Sequence, residues 1–376
     1  MAKHAALSAS SSHRWMNCPP SVRLTEHIAD NGSVYAAEGS EAHALCEYKL
    51  RQLLGMDAEN PLDCPGGLQY YDSTMEDAAN GYAAFVMELL EEIRQTCADP
   101  IVMVEQRLNF SRWVKDGFGT GDAVIVADSI LQVVDFKYGT GVPVSAEDNS
   151  QMRLYALGAL DMFGELYDID SVKMTIYQPR LSNISTDAVN KADLLDWAEN
   201  TLRPVAELAY KGEGEMNAGS WCRFCKLRTT CRKRAEANLA LAQHDFKLPP
   251  TLSDEEIAVI LDQLDDLTSW AADIKEYALT AALSGTHFDG WKLVEGRANR
   301  RYTNEDAVAQ AVIGSGHDPY ERKLLGITAM EKLLGKKQFA ILLADLVEHP
   351  QGKPTLVPAS DKRPEMTNAK NDFANE

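Results

Sequence analysis

The chain has 376 residues, a formal net charge of −19, 45% hydrophobic and 25% charged side chains. That length suits two domains or one large domain with additions, and the composition is that of a soluble globular protein. No apolar run reaches the roughly 18 residues that span a bilayer, and Met1–Ser10 has no apolar signal-peptide core, so a cytoplasmic location is expected. Seven cysteines in such a chain favour metal ligation over a disulfide framework. The acidic balance argues against a nucleic-acid coat protein, although a local basic patch can still supply phosphate contacts.

Residues 7–20 are Ser-rich and then Pro-rich, and read as an extended or loop segment. Ala42, Leu45, Cys46, Leu50 and Leu53 recur at helical spacing and predict a helix over 40–55 that Gly55 ends. A second helix over 73–97 carries Ala79, Ala83, Val86, Leu90 and Ile93 on one stripe. The period then changes. Three β-runs follow: Ile101–Glu105, Asp122–Ala127 and Leu131–Phe136, the last two joined by a turn at Asp128-Ser129. A helix is expected over Gln151–Phe163, a strand over Val172–Tyr177 and a helix over Asp193–Tyr210. The order α-α-β-β-β-α-β-α predicts an α/β fold with a mixed central sheet flanked by helices.

Residues 1–245 are expected to form the main domain, 246–348 an α-rich or α+β extension, and 349–376 a flexible tail rich in Pro, Lys, Asp and Asn. Pro249-Pro250 marks the boundary, and Ser253 with Glu256 forms a capping-box pattern at the head of a long acidic helix running to Leu283.

Two groups of residues carry chemistry. Asp122 and Asp135 sit on neighbouring β-runs, near ends that a hairpin brings together. Hard carboxylate oxygens of this kind suit Mg²⁺ or Mn²⁺. Lys137 lies two residues past Asp135 and shares its face, where it can orient a water and offset phosphate charge. Taken alone, Asp135-Phe136-Lys137 also fits an exposed strand end. His43 on the first helix, Glu105 on the strand before Asp122, and Gln151 with Tyr155 at i, i+4 on the next helix are further candidates; each also fits an ordinary surface position. The second group is Cys222-x2-Cys225-x5-Cys231 with the distant Cys18. Four thiolates suit either tetrahedral Zn²⁺ or an iron–sulfur cluster. Around them runs an acid-free stretch with Arg223, Lys226, Arg228, Arg232, Lys233 and Arg234, which is either a phosphate-binding surface or a solvated face. Arg297, Arg300 and Arg301 form a weaker basic candidate.

Gly39-Ser-x-x-His43, Gly121-Asp122, Asp135-x-Lys137 and Gln151-x-x-x-Tyr155-Ala156, in this order, resemble the RecB-like branch of the PD-(D/E)XK nucleases. The four cysteines and the opening segment Leu7–Pro19 resemble that branch's iron–sulfur members, which include the AddB nuclease domain and the CRISPR-associated RecB-like exonucleases. The resemblance covers about residues 7–235, and the whole arrangement is similar to a prophage-encoded type with a C-terminal extension. It implies a restriction-endonuclease-like fold, metal ligation by His43, Asp122 and Asp135, and Lys137 as the catalytic lysine, with Gln151 and Tyr155 contributing to the site. It also implies a structural [4Fe–4S] cluster on Cys18, Cys222, Cys225 and Cys231. The expected activity is metal-dependent DNA exonuclease or end-processing cleavage in phage or prophage recombination or replication; a catalytically idle DNA-end adaptor is the alternative. Expected partners are single-stranded or duplex DNA ends, recombination or replication proteins, and a second copy of the chain.

Overall fold

The computed structural model describes residues 5–29, 32–97, 99–242, 253–294 and, apart from 316, 318, 321–323 and 344–345, residues 304–347. The expected tail and Arg297, Arg300 and Arg301 lie outside the described residues. The chain divides into two compact units, Met1–Ala281 and Ala282–Glu376.

The first unit opens with a 3-10 turn at Ala9–Ser11 and two short helices, α1 (Ser12–Asn17) and α2 (Ser21–Thr25), where the Ser- and Pro-rich composition predicts a loop. Tertiary packing overrides the local preference. Trp15 is fully buried and its indole donates to the Ser8 carbonyl at 3.0 Å. Two long helices follow, α3 (Val34–Leu53) and α4 (Ser73–Arg94). Each starts on a side chain that accepts a backbone N–H of the first turn: Ser33 from Ala36 and Asp72 from Met75.

Five strands form one mixed sheet in the order β1 (Ile101–Asn109), β2 (Phe118–Ala127), β3 (Ser129–Phe136), β4 (Ile169–Gln178) and β5 (Asn183–Asn190). Helix α5 (Ser150–Phe163) is the crossover that makes β3 and β4 parallel; the other pairings are antiparallel. Alternation along the strands feeds two cores. Val124, Val126, Leu131 and Val133 face α5, whereas Ala123, Ile125, Val134 and Phe136 pack on α3 and α4. The sheet is therefore covered on both faces, as the sequence reading anticipates.

β2 begins four residues before the expected Asp122. Gly119 and Gly121 hide this part of the strand, yet the packing requires them. A Cβ at 119 would lie 2.6 Å from the Tyr155 ring and one at 121 would lie 2.9 Å from Leu108. After β5 come α6 (Lys191–Trp197), a π-type segment at Ala198–Leu202 and α7 (Arg203–Lys211). A 3-10 turn at Ser220–Phe224 leads into α8 (Arg232–Ala242), and α9 (Asp254–Leu283) closes the unit. The expected capping box is reciprocal: Glu256 N–H donates to Ser253 Oγ at 3.3 Å and Ser253 N–H to Glu256 Oε2 at 2.9 Å. In the second unit the described elements are helices α10 (Glu305–Gly314), α11 (Ile327–Leu334) and α12 (Lys336–Leu343). Among the described residues, no helix is long and apolar enough to cross a membrane.

Candidate metal centre and cysteine cavity

Strand register builds the first site. Val104 pairs with Ala123 and Gln106 with Gly121, which sets Glu105 opposite Asp122. Ala123 pairs with Val134, which sets Asp122 opposite Asp135. Three carboxylates thus occupy one row across three adjacent strands. The regular ladder is interrupted at this row. Glu105 takes a left-handed backbone, φ 52°, a conformation that costs a non-glycine residue roughly 1–3 kcal/mol and gathers at functional sites. Where the β2–β3 ladder ends, the Phe136 N–H donates to Asp122 Oδ2 at 2.6 Å.

Helix α3 supplies the imidazole. His43 Nδ1 lies 3.2 Å from Asp122 Oδ1, and its ring stacks edge-on against Phe136 at 5.3 Å. One ligand atom each from His43, Glu105 and Asp122 lies within 4.8 Å of the others. Asp135 adjoins this group and engages the lysine. Lys137 Nζ is 2.8 Å from Asp135 Oδ2 as an ion pair, although that oxygen receives no well-directed hydrogen bond. The first turn of α5 completes the arrangement. The Gln151 amide donates to Asp135 Oδ1 and to the Tyr155 hydroxyl, both at 3.1 Å, while its oxygen accepts from Lys137 Nζ at 3.2 Å. Asn149 caps that turn by accepting from the Gln151 and Met152 N–H groups.

Crowding of acids in a buried place dominates the electrostatics. Burial opposes charge on His43, but the charge and hydrogen bond of Asp122, with Asp135, outweigh it and raise the imidazole to about 9. Burial and the Asp122 charge push Glu105 up to about 7. Burial, reinforced by Asp122, also raises Asp135 despite the opposing Lys137. Lys137 is held charged because Asp135 outweighs the burial that would lower it. A group of hard oxygens and one imidazole, with protons bound more tightly than usual, fits a divalent cation such as Mg²⁺ or Mn²⁺.

All seven sequence candidates on this side, His43, Glu105, Asp122, Asp135, Lys137, Gln151 and Tyr155, are brought together. Glu105 belongs with them more tightly than its isolated position in the sequence indicates, because only the strand register reveals its place. Tyr82 of α4 is an addition that the sequence does not suggest. Its hydroxyl is fully buried without a hydrogen-bond partner, its ring packs 5.3 Å from Phe136, and in sequence it is simply part of an apolar stripe.

The second site lies at the other end of the sequence map. Cys18, Cys222, Cys225 and Cys231 line one cavity together with Arg14, Arg228 and Arg234. Burial raises the thiols of Cys222 and Cys225. The four thiols share one lining, and their donor chemistry is that of a thiolate-bound zinc ion or iron–sulfur cluster. Of the six basic residues in the acid-free run, two are spent on α9: Arg228 Nε donates to Asp273 Oδ1 at 3.1 Å, and Arg234, buried, bonds the other oxygen. Cys46, Cys64 and Cys97 stand apart from this cavity; Cys46 is buried one turn beyond His43 on α3.

Fold and sites together define an α/β protein with a hard-donor group on its central sheet and a four-cysteine cavity. A family model described as "Protein of unknown function (DUF2800)" matches residues 4–364, and the chain belongs to that family. It is also similar to a solved structure titled "Crystal structure of SSO0001", with 16% identity over 50% of this chain and 95% of that one and a TM-score of 0.22. An overlap that small leaves the chemistry to be read from the residues themselves.

Proposed function

We propose that this protein is a Mg²⁺- or Mn²⁺-dependent deoxyribonuclease of the RecB-like PD-(D/E)XK type that processes DNA ends by phosphodiester hydrolysis. The observation that carries this reading is the row Glu105–Asp122–Asp135 with His43 and Lys137 beside it. A divalent ion held by His43, Glu105, Asp122 and Asp135 would supply Lewis-acid polarisation of the scissile phosphate and acidify a water. The chain's own residues do the rest. Lys137, fixed by Asp135 and Gln151, directs a positive N–H group to where charge develops on phosphate and orients the attacking water. Gln151, itself held by the Tyr155 hydroxyl, keeps that lysine in place. The water oxygen bonds to phosphorus as the bond to the departing sugar oxygen breaks. Cys18, Cys222, Cys225 and Cys231 would hold a [4Fe–4S] cluster with a structural role, tying the N-terminal segment to the end of the domain. DNA ends are the proposed partner, in the setting of phage or prophage recombination or replication.

The test is degradation of end-labelled single-stranded and duplex DNA by anaerobically purified protein with Mg²⁺ or Mn²⁺. The Asp122→Ala/Asp135→Ala variant is expected to lose cleavage; cleavage at the wild-type rate would sink the assignment. The same preparation should contain iron and acid-labile sulfide, and Cys225→Ser should lose both. Stoichiometric zinc without iron would instead make the cavity a zinc site.

A further inference from the structure

The geometry points to a single-strand grip at the tip of the cysteine module, with the Phe224 ring as the stacking platform for an unpaired base of DNA. This rests on the nucleic-acid reading above and adds a strand preference and a contact residue to it. Cys222 in the turn Ser220–Phe224 and Cys225 just after it are 8% and 9% exposed, whereas Arg223 and Phe224 between them are exposed. Phe224 is 79% exposed. The module does have ways to pack an aromatic ring, because its neighbour Trp221 uses them. The Trp221 indole donates to the Asn217 carbonyl at 2.9 Å, its ring covers Gly219 so closely that a Cβ there would lie 2.5 Å away, and it meets His13 edge-on at 5.8 Å. Phe224 has none of this.

The surroundings of Phe224 suit an anionic strand. The Arg223 guanidinium lies 5.9 Å from the ring centroid, and Lys226, Arg232 and Lys233 are exposed. Lys226 is tied to the Ile28 carbonyl and Asp273 takes up Arg228 and Arg234, so the positive field beside the ring is that of Arg223, Arg232 and Lys233 in an otherwise acidic protein. An exposed aromatic face flanked by cations is how proteins hold single strands: the ring stacks on a base and the cations follow the phosphates. In a duplex the faces of internal bases are already stacked, so the platform discriminates for unpaired ends.

The experiment measures anisotropy of a fluorescent single-stranded 20-mer and of the matching blunt duplex, with full-length protein and Ca²⁺ or no divalent ion, so that binding is read without cleavage. Phe224→Ala is expected to weaken single-strand binding by roughly 5- to 150-fold, the range for one base–aromatic stack, with the duplex changed much less. Phe224→Trp should retain the affinity, and Arg232→Ala/Lys233→Ala should lower the single-strand salt slope by about 0.7 for each phosphate left without its cation. Unchanged single-strand affinity in Phe224→Ala, or an equal loss on duplex, overturns the inference while leaving the nuclease reading to its own cleavage assay. Phe224-dependent binding by a protein that never cleaves would keep the grip and sink the nuclease.

Discussion

The carboxylate row and the cysteine cavity both gather residues from distant parts of the sequence, but by different means. Glu105, Asp122 and Asp135 are set by the ladder of three neighbouring strands, and their positions follow from register alone. The cysteines are carried by short helices and turns, and the ties around them are few and individual. The Asn217 amide donates to the Asn17 carbonyl, Lys226 Nζ to the Ile28 carbonyl, and Arg228 and Arg234 to Asp273. A sheet thus holds a site as a consequence of the fold, whereas the cavity depends on particular polar links and on whatever fills it.

The largest expected effect attacks those links. Arg234 is buried and bonds both Asp273 and the Arg228 carbonyl. Arg234→Ala removes a buried guanidinium and leaves the half-buried Asp273 with Arg228 alone; it should cost about 3 kcal/mol in denaturant unfolding, with no comparable change in divalent-ion binding by calorimetry. Equal damage to both would mean that the two sites are not separately held. Next is Lys137→Ala, which should lower the cleavage rate by about 100-fold or more, read well below the variant's own denaturation midpoint because Asp135 loses its ion-pair partner. A rate within a few-fold of wild type would remove the lysine from the mechanism.

A third measurement separates the sites by pH. In the metal-free fold Glu105 is raised from 4.5 to about 7 and His43 from 6.5 to about 9. For both, the folded state binds protons that the unfolded chain releases. Their stabilisation is therefore full below the unfolded values, and it is lost as pH rises through about 7 for the acid and about 9 for the imidazole. Melting in chelator should decline across that window, and Glu105→Gln should flatten its lower half. Adding Mn²⁺ should release protons and lift the alkaline end. A wild-type curve that keeps its slope in Glu105→Gln would contradict the assigned burial. The smallest effect is local: Ser33→Ala removes the cap of α3, the helix that carries His43, and should cost about 1 kcal/mol in thermal unfolding.

Much of the fold is legible in the sequence because burial leaves a pattern: a helix that buries one face carries an apolar stripe, and a strand buried on both faces reads as a continuous apolar run. The apolar stripe of α4 and the runs of β2, β3 and β4 announce themselves. β5 does not: Asn183–Asn190 is polar, with exposed and half-buried residues around Ser185, and pairing with β4 makes it a strand. The N-terminal helices are hidden because Ser and Pro signal loops locally, while Trp15 anchors the segment through contacts far away in sequence. Within the site, residue types and their order can be read directly, whereas the convergence of Cys18 with the other three cysteines is what the family resemblance implies and the cavity lining brings together. The place of Glu105 cannot, because it depends on a register and a left-handed backbone angle that no local pattern encodes. The sharing of Arg228 and Arg234 with Asp273 is equally invisible, since it joins the basic run to a helix about 40 residues onward.

The bond between Asn217 and Asn17 spans 200 positions, and this span sets a clock on synthesis. At roughly 5–20 residues per second, Cys18 leaves the ribosome some 10–40 s before the chain that completes its cavity. On the proposed reading of the cavity as a cluster site, its inorganic group would arrive only after the turn at Ser220–Phe224 has emerged, which would make delivery a late event timed by translation.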